Sequence, residues 1–375
     1  MTHAVRLESA GASMAVISTD KAVTDWTARY FGPWWKATEV PPESVCADPV
    51  VIAEVSPDQY ASAALAVTQA PNENLTYAKA QMLLTRDVAA RVIRGVQPDE
   101  GLAYRSEPDA GKLTVFGRDT EPVATATARL AREVMRGMLL RQGWSVLHAS
   151  AVVKDGRTIL TFGQKGAGKT TTALALAQRH GIGLLANDRV FVRVNGAGGV
   201  DVLPWPSAAA IGLGLLDALS WFEITRERLQ GGEQLHPTQS ERVTEALLAG
   251  DREPLWDAGK ELKTQVFPDQ FERWYSVPLA TGGEAAALVF PRIEAGAEPA
   301  EEETVRTLTD HDFMSGKTED RYPDVFALAR VDGGGTEESR QEVARHLGTL
   351  PHHSVVLGHD VVANADFLAK LTGCA

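Results

Sequence analysis

One motif limits what this chain can fold into more than any other feature of its sequence. Residues 163–170 read Gly-Gln-Lys-Gly-Ala-Gly-Lys-Thr and match the pattern G-x-x-x-x-G-K-[ST]. In such a loop the glycines let successive backbone N–H groups face one phosphate, the lysine reaches the β- and γ-phosphates, and the hydroxyl can bind Mg²⁺. The motif therefore predicts a phosphate-binding loop (P-loop) in which Lys169 and Thr170 provide side-chain contacts.

The residues on either side of the loop predict the context that such a loop needs. The run 158–162 predicts a strand that enters the loop, 170–179 predicts a helix that leaves it, and 183–186 predicts a second strand that ends at Asn187 and Asp188. Together they form a βαβ unit of about thirty residues, with a carboxylate at the carboxyl end of a strand, where open α/β sheets bind ligands. The alternative is a Gly-rich turn that binds nothing.

Composition and charge exclude several classes of protein. The chain has 375 residues, of which 44% are hydrophobic and 23% charged, enough for one large or two medium cores. The 37 Lys and Arg are outnumbered by 49 Asp and Glu, giving a net charge of -12, which opposes binding to nucleic acid or anionic lipid. Cys46 and Cys374 are too few for a disulfide framework or a cysteine metal site.

The same features predict where the protein works. Residues 1–20 lack the apolar centre of a signal peptide, and the longest uncharged run, 202–216, contains prolines and is too short for a membrane span. We therefore expect a soluble, cytoplasmic protein with no nucleic-acid or membrane partner. The sequence leaves a homo-oligomer open.

Mixed patterns divide the chain into two expected regions. Residues 1–142 predict an N-terminal α/β region that ends in a long helix over 121–142, with Gly143 as its C-terminal cap. Residues 143–375 form the second region, in which Lys154-Asp155-Gly156 predicts a hairpin turn. We expect the solvated side of the long helix to carry Arg129, Arg132, Arg136 and Arg141. The aromatic cluster Phe31, Trp34 and Trp35 is either core or a docking surface.

Two groups of residues outside the loop carry open alternatives. For Arg252, Lys260 and Lys263 two interpretations are open. Either one of them is a cation that stabilises the transition state, or all three only belong to a solvated face. For His352, His353, His359 and Asp360 we prefer ordinary structural roles over a metal site, because neighbouring residues of a strand point to opposite faces.

Several segments together resemble a known family. They are Leu-His-Ala-Ser-Ala-Val at 147–152, the loop fifteen residues after His148, Leu-Ala-Asn-Asp-Arg-Val at 185–190, and Ile-Gly-Leu-Gly-Leu-Leu-Asp at 211–217. The combination is similar to the catalytic domain of HPr kinase/phosphorylase and related proteins of peptide natural-product clusters. The resemblance is specific over residues 147–217.

That resemblance implies an α/β fold with a P-loop kinase core of the HPr kinase and phosphoenolpyruvate carboxykinase type, preceded by the N-terminal α/β region. It implies that the protein uses ATP and Mg²⁺ to phosphorylate a hydroxyl. The residues expected to bind the cofactor are Gly163, Gln164, Lys165, Gly166, Ala167, Gly168, Lys169, Thr170 and Thr171. Thr170, Asn187 and Asp188 are expected at the metal, and His148, Lys169 and Asp188 are the expected catalytic residues.

This chain departs from the family pattern at two places. The family has Asp at both positions of the pair occupied here by Asn187 and Asp188, and an amide cannot accept a proton at neutral pH, so Asp188 is the expected base. Ala209-Ala210-Ile211 stands where HPr kinases have Glu-Ile-Arg, which makes HPr itself an unexpected substrate. His148 has the alternative of a core histidine.

The resulting hypothesis is a kinase whose acceptor is a serine of a peptide or protein, or a small metabolite. Two alternatives stay open, because the second acid of the pair is missing: a nucleotide-dependent binding module, and an NTPase that has lost phosphotransfer.

Overall fold

In a computed structural model, residues 1–45, 48–179, 181–315, 323–331 and 333–374 are described. The chain divides into two compact units, Met1–Trp144 with Met314–Thr336, and Ser145–Phe313 with Glu337–Ala375. From the sequence we expected the first region to end at residue 142. In the structure the first unit also contains the later segment Met314–Thr336, called the return segment below. Such a return depends on contacts between residues far apart in sequence, which local patterns do not contain. Cys46 lies outside the described residues.

The described part of the first unit contains one nine-stranded sheet and three α-helices. The strands are β1 His3–Ser9, β2 Ala12–Ser18, β3 Lys36–Val40, β4 Val50–Val55, β5 Glu73–Tyr77, β6 Ala80–Asp87, β7 Val92–Gln97, β8 Leu102–Glu107 and β9 Lys112–Gly117. The helices are α1 Lys21–Phe31, α2 Pro57–Thr68 and α3 Thr120–Arg141. The strand order is β3-β1-β2-β4-β9-β8-β7-β6-β5, so the sheet mixes parallel and antiparallel neighbours.

Helix α3 is the long helix predicted from the sequence, and its C-terminus ends as expected. Gly143 has a φ of 87°, its N–H donates to Leu140 O at 3.1 Å, and the N–H of Trp144 donates to Leu139 O at 3.1 Å. This pair of bonds is a Schellman motif, which satisfies helix carbonyls and requires a left-handed residue that glycine adopts without strain. The cluster of Phe31, Trp34 and Trp35 is core, with the Phe31 and Trp35 rings stacked 5.0 Å apart.

The prediction of a solvated arginine face on α3 is wrong for two of its four residues. Arg132 and Arg136 are buried, while Arg141 is exposed and Arg129 is half-buried. Arg136 pairs with the buried Glu133 at 2.7 Å. The helix is covered on more than one side, because it packs on β2, β4 and β9 and also approaches residues 328–329 of the return segment at Gly137. Its charges are therefore removed from water and neutralised by partners within the protein.

The described part of the second unit contains another nine-stranded sheet. Its strands are β10 Ser145–Leu147, β11 Ser150–Lys154, β12 Arg157–Thr161, β13 Gly183–Ala186, β14 Val190–Val194, β15 Val200–Pro204, β20 Gly283–Ile293, β21 Ala300–Glu301 and β22 His352–Leu357. Short pairs outside it are β16 Ala209–Ile211 with β19 Thr264–Val266, and β17 Trp256–Asp257 with β18 Lys260–Glu261. The helices are α4 Lys169–Gln178, α5 Leu213–Ala218, α6 Phe222–Gln230, α7 Glu241–Ala249, α8 Pro268–Tyr275, α9 Glu337–Leu347 and α10 Val361–Leu371.

The topology of this sheet brings several strand ends to one edge. The order is β10-β14-β15-β20-β12-β11-β13, with β22 also on β20 and β21 on β22. Because β11 is antiparallel to both β12 and β13, the latter two run in the same direction, and β20 runs parallel to β12. Their carboxyl ends therefore lie at the edge where β11 begins. The predicted βαβ unit is present, with β11 inserted between its strands.

The predicted hairpin is confirmed, with β11 and β12 antiparallel and positive φ at Asp155 (50°) and Gly156 (77°). That pair of angles suits a tight hairpin turn. The mixed sheets and their helices make the chain an α/β protein. Among the described residues, helices with the length and apolar character of a membrane span are absent.

We predict that Glu133→Gln lowers the free energy of unfolding by about 3–5 kcal/mol, because it removes the carboxylate charge that pairs with the buried guanidinium of Arg136. Urea denaturation of the full chain measures the effect. The matched control is Asp25→Asn, which disturbs an exposed pair with Lys21 on α1 and should cost less than about 1 kcal/mol. Equal effects of the two substitutions would contradict the stabilising role of the buried pair.

Candidate functional site

The predicted P-loop, residues 163–170, joins the end of β12 to the start of α4. The N–H of Phe162 donates to Val289 O on β20 at 2.9 Å, which fixes the strand end, and Gly168 caps α4 with a φ of 98°. A side chain at residue 168 would be strained by that φ, and its Cβ would lie 2.7 Å from Ile293 Cδ1. The glycine therefore permits both the turn and the close approach of β20.

The first turn of α4 presents its amides to the outside of the helix. The N-cap residue, Gly168, has no side chain that could cap the helix, and the bond from Thr172 N–H to Gly168 O, at 2.8 Å, closes its first turn. The N–H groups of residues 169–171 precede that bond and point out of the N-terminus, where the helix dipole favours an anion. The amide of Ala167 instead donates within the loop, to Gln164 O at 3.1 Å. The backbone thus has the form expected of a phosphate cradle.

Lys169 lies folded over the loop. Its Nζ donates to Gly163 O at 2.6 Å and more weakly to Gln164 O at 3.4 Å. Burial lowers the pKa of this ammonium below its ordinary value, and the nearby carboxylates of Asp188 and Asp312 oppose that shift. The positive charge is therefore only partly compensated, which favours an incoming anion.

The start of α4 is tied to the strands beside it. Ser150 Oγ on β11 donates to Lys169 O at 2.8 Å, and Thr170 Oγ1 lies 3.5 Å from Asn187 O after β13. These contacts place the Thr170 hydroxyl next to the residue pair predicted for the metal.

The two members of that pair differ in environment. Asn187 is buried, and its Oδ1 accepts a hydrogen bond from Ser207 Oγ at 3.1 Å. Asp188 is half-exposed, with 49% of its side chain accessible, and pairs with Arg189 at 2.9 Å. Asn187 is thus part of the local packing, whereas the Asp188 carboxylate can exchange its partner for a ligand.

His148 lies in the break between β10 and β11. The two strands separate at this residue, and the N–H of His148 donates to Asp312 O at 2.8 Å. The imidazole is half-buried. Its catalytic role stays a prediction.

Sequence reasoning missed an arginine and its carboxylate partner. Arg306 Nη2 donates to both carboxylate oxygens of Asp312, at 2.7 and 2.9 Å, and its guanidinium lies 4.8 Å from the centre of the Phe290 ring. Both charges influence the pKa of Lys169. The signal that could have found the segment is a capping box formed by Thr309 and Asp312, three residues apart.

A cleft of about 480 Å³ opens beside the loop. The loop residues 163–167 line one side, and residues 290–293 at the end of β20 line the other, together with Glu302, Arg306 and Ser354. Its size falls within the range of small-molecule sites.

Two of the three other predicted cations are engaged elsewhere. Arg252 pairs with Asp217 and Glu223, and Lys263 pairs with Glu261 at 3.4 Å. His352 Nδ1 contacts Leu350 O at 2.7 Å, and His353 Nδ1 contacts Glu301 Oε1 at 2.8 Å. These contacts agree with the structural roles expected for His352 and His353.

Side-chain oxygens of Thr170, Asn187 and Asp188 are the potential metal ligands near the loop. Among the residues described, groups of three or more His, Cys, Asp or Glu that could hold a metal are absent. Mg²⁺ in proteins often binds through one or two carboxylates together with substrate phosphates. Thr170 and Asp188 offer oxygens of that kind beside the cradle, with Asn187 next to them.

Neither the known protein families nor the curated proteins contain a match to this chain. Among solved structures, the Hpr(Ser) kinase/phosphatase from Coxiella burnetii matches at 14% identity and a TM-score of 0.21, over 40% of this chain and 60% of that chain. The chain thus spans less than two thirds of that protein, and the family named from the sequence stays a resemblance.

We predict that Gly168→Ala abolishes the binding of inorganic pyrophosphate and lowers the free energy of unfolding by about 1–3 kcal/mol, because the loop must leave its left-handed turn and Ile293 must move. Isothermal titration and urea denaturation measure the two effects. Gly196→Ala is the control, since a Cβ there meets nothing within 4 Å, and it should change stability by less than about 0.5 kcal/mol. Wild-type pyrophosphate affinity in Gly168→Ala would contradict the cradle.

Proposed function

We propose that this protein binds Mg·ATP at the P-loop and transfers the γ-phosphoryl group to a hydroxyl. The acceptor is a serine of a peptide or protein, or a small metabolite. The observation that carries the proposal is the juxtaposition of Lys169 and Thr170, at the start of α4, with the half-exposed Asp188 at the end of β13. A cradle, a cation, a hydroxyl and an available carboxylate are the parts that phosphoryl transfer requires.

Each residue has a distinct task in this proposal. The amides of residues 168–171 bind phosphate oxygens, and Lys169 leaves Gly163 O to contact the β- and γ-phosphates. When bound, Mg·ATP would supply the phosphoryl group, and its Mg²⁺ would neutralise part of the charge on the phosphates. Thr170 and Asp188 orient the metal side of the nucleotide.

Asp188 also accepts the proton of the acceptor hydroxyl. Its present partner is Arg189, whose guanidinium lies 5.8 Å from the centre of the Trp205 ring and is largely buried. The carboxylate can turn from that fixed arginine toward the acceptor, whereas the buried amide of Asn187 can neither move freely nor accept a proton.

A second candidate function follows from that ion pair. With Asp188 held by Arg189 and Asn187 held by Ser207, the chain could bind nucleotide without transferring phosphate. The protein would then be a nucleotide-dependent binding module, or an NTPase if water reaches the γ-phosphate. The destination of the phosphate separates the three functions.

We predict that Lys169→Ala weakens Mg·ATP binding by at least about tenfold, since a charge-assisted contact contributes roughly 1.5–3 kcal/mol. Stability should not fall, because the ammonium is desolvated in the folded protein. Titration with a non-hydrolysable ATP analogue and thermal denaturation measure both effects. Lys154→Ala, at a lysine that bonds Cys374 O on the far side of the hairpin, is the control. Unchanged nucleotide affinity in Lys169→Ala would remove the basis of the proposal.

We predict that Asp188→Asn slows phosphoryl transfer by about 10²–10⁴-fold, because the amide cannot take the proton, while nucleotide affinity changes much less. Transfer of labelled γ-phosphate to candidate peptides, metabolites and water measures the rate. The matched control is Asp366→Asn, whose carboxylate is 50% exposed and also pairs with an arginine.

Full transfer by Asp188→Asn would exclude this residue as the base and make His148 the next candidate. Tight nucleotide binding without transfer by the wild type would favour the binding module. Asn187→Asp, which restores a second acid, should keep the rate within about tenfold of the wild type or raise it.

A further inference from the structure

Two ion pairs lie near the ammonium of Lys169, and they differ in how firmly they are held. Asp188 and Arg189 form one pair, in which the carboxylate is half-exposed. Arg306 and Asp312 form the other, in which the carboxylate is only 6% exposed and the guanidinium 36% exposed. All four charges act on the pKa of Lys169. In the second pair, the buried carboxylate of Asp312 therefore fixes an arginine, Arg306, that is still partly exposed to solvent.

The carboxylate of Asp312 uses its acceptor positions for contacts within the protein. It accepts two bonds from Arg306 Nη2, one from the N–H of Thr309 at 2.9 Å, and one from Thr309 Oγ1 at 3.1 Å. A carboxylate offers about four lone-pair positions, so little acceptor capacity is left for a metal or a proton. Its geometry suits it to orient the arginine.

Arg306 is held at three points and keeps one edge available. Its backbone N–H donates to Ser354 Oγ on β22 at 2.7 Å, its guanidinium lies over Phe290, and Nη2 is bound by Asp312. Among the described residues, none accepts a hydrogen bond from Nε or Nη1. The side chain lines the cleft that the loop residues 163–167 also line. A rigid guanidinium with free donors beside a phosphate cradle is suited to bind phosphate oxygens.

We propose that Arg306 is a ligand of the terminal phosphoryl group of the bound nucleotide, and that Asp312 is the positioning residue that aims it. This inference rests on the proposed function, since it assumes a nucleotide in the cradle. It gives Arg306 the role of the transition-state cation, for which the sequence suggested Arg252, Lys260 or Lys263. The γ-phosphate is the expected contact because Arg306 lines the same cleft as loop residues 163–167, and Lys169 is the loop residue expected to reach the β- and γ-phosphates.

The test compares two nucleotides that differ by that one phosphate. Arg306→Ala should weaken the binding of a Mg-bound non-hydrolysable ATP analogue by about 10–100-fold, and that of Mg·ADP by less than about threefold. Isothermal titration of the full chain gives both affinities. A merely structural role for Arg306 would weaken both nucleotides to the same extent.

Arg179→Ala is the matched control. Arg179 is 38% exposed and makes two bonds to the carboxylate of Asp366, but it lies at the opposite end of α4 from the loop. It should leave both affinities within about twofold of the wild type.

Asp312→Asn tests the positioning role. It should reduce the preference for the ATP analogue over Mg·ADP by about three- to tenfold, because the arginine keeps its charge but loses its charged anchor. The hydrogen bond from His148 goes to the backbone carbonyl of Asp312 and is retained.

The outcomes separate this inference from the proposed function. If the wild type binds neither nucleotide, the proposed function fails and this inference fails with it. If the wild type binds both, and Arg306→Ala changes neither affinity or reduces both equally, the inference about Arg306 is wrong while the nucleotide site stands. An unchanged preference in Asp312→Asn would overturn the positioning role alone.

Discussion

The second unit depends on a helix N-terminus held open at the end of a buried strand. The amides that begin α4 have no carbonyl partners within the helix, and the N-cap residue Gly168 has no side chain that could cap them. Such an arrangement is stable only if surrounding structure fixes it. The bond from Phe162 to Val289 and the bond from Ser150 to Lys169 O tie both ends of the loop to neighbouring strands. The fold itself thus holds the loop in place.

Lys169 lies near two arginines that are each paired with a carboxylate. The protein carries a net charge of -12, yet Lys169, Arg189 and Arg306 gather where the β-strand ends meet. Each arginine is balanced by one carboxylate, so the positive charge of Lys169 is the one left over. In the proposed function, an anion bound at the loop would attract these cations, and the half-exposed Asp188 would become available for the metal or a proton.

The first unit shows why local patterns misjudge buried charge. The period of α3 correctly predicts a helix, because its apolar residues recur on one face. It cannot show that residues 328–329 cover another face, where Gly137 allows close approach. The pairing of Arg136 with Glu133 then compensates for the loss of water. Whether a helical arginine is solvated depends on what later folds over it.

The sequence by itself determined the loop, the helix that follows it, the hairpin before it and the carboxylate after β13, because backbone geometry demands particular residues at short fixed spacings. It did not determine the insertion of β11 between β12 and β13, the return of Met314–Thr336 to the first unit, or the position of Arg306 beside the loop. Arg306 lies 137 residues after Lys169 in the chain, which is the difference of their residue numbers. Only strand pairing in the folded sheet brings such distant residues together, since long-range contacts leave no local periodicity to read.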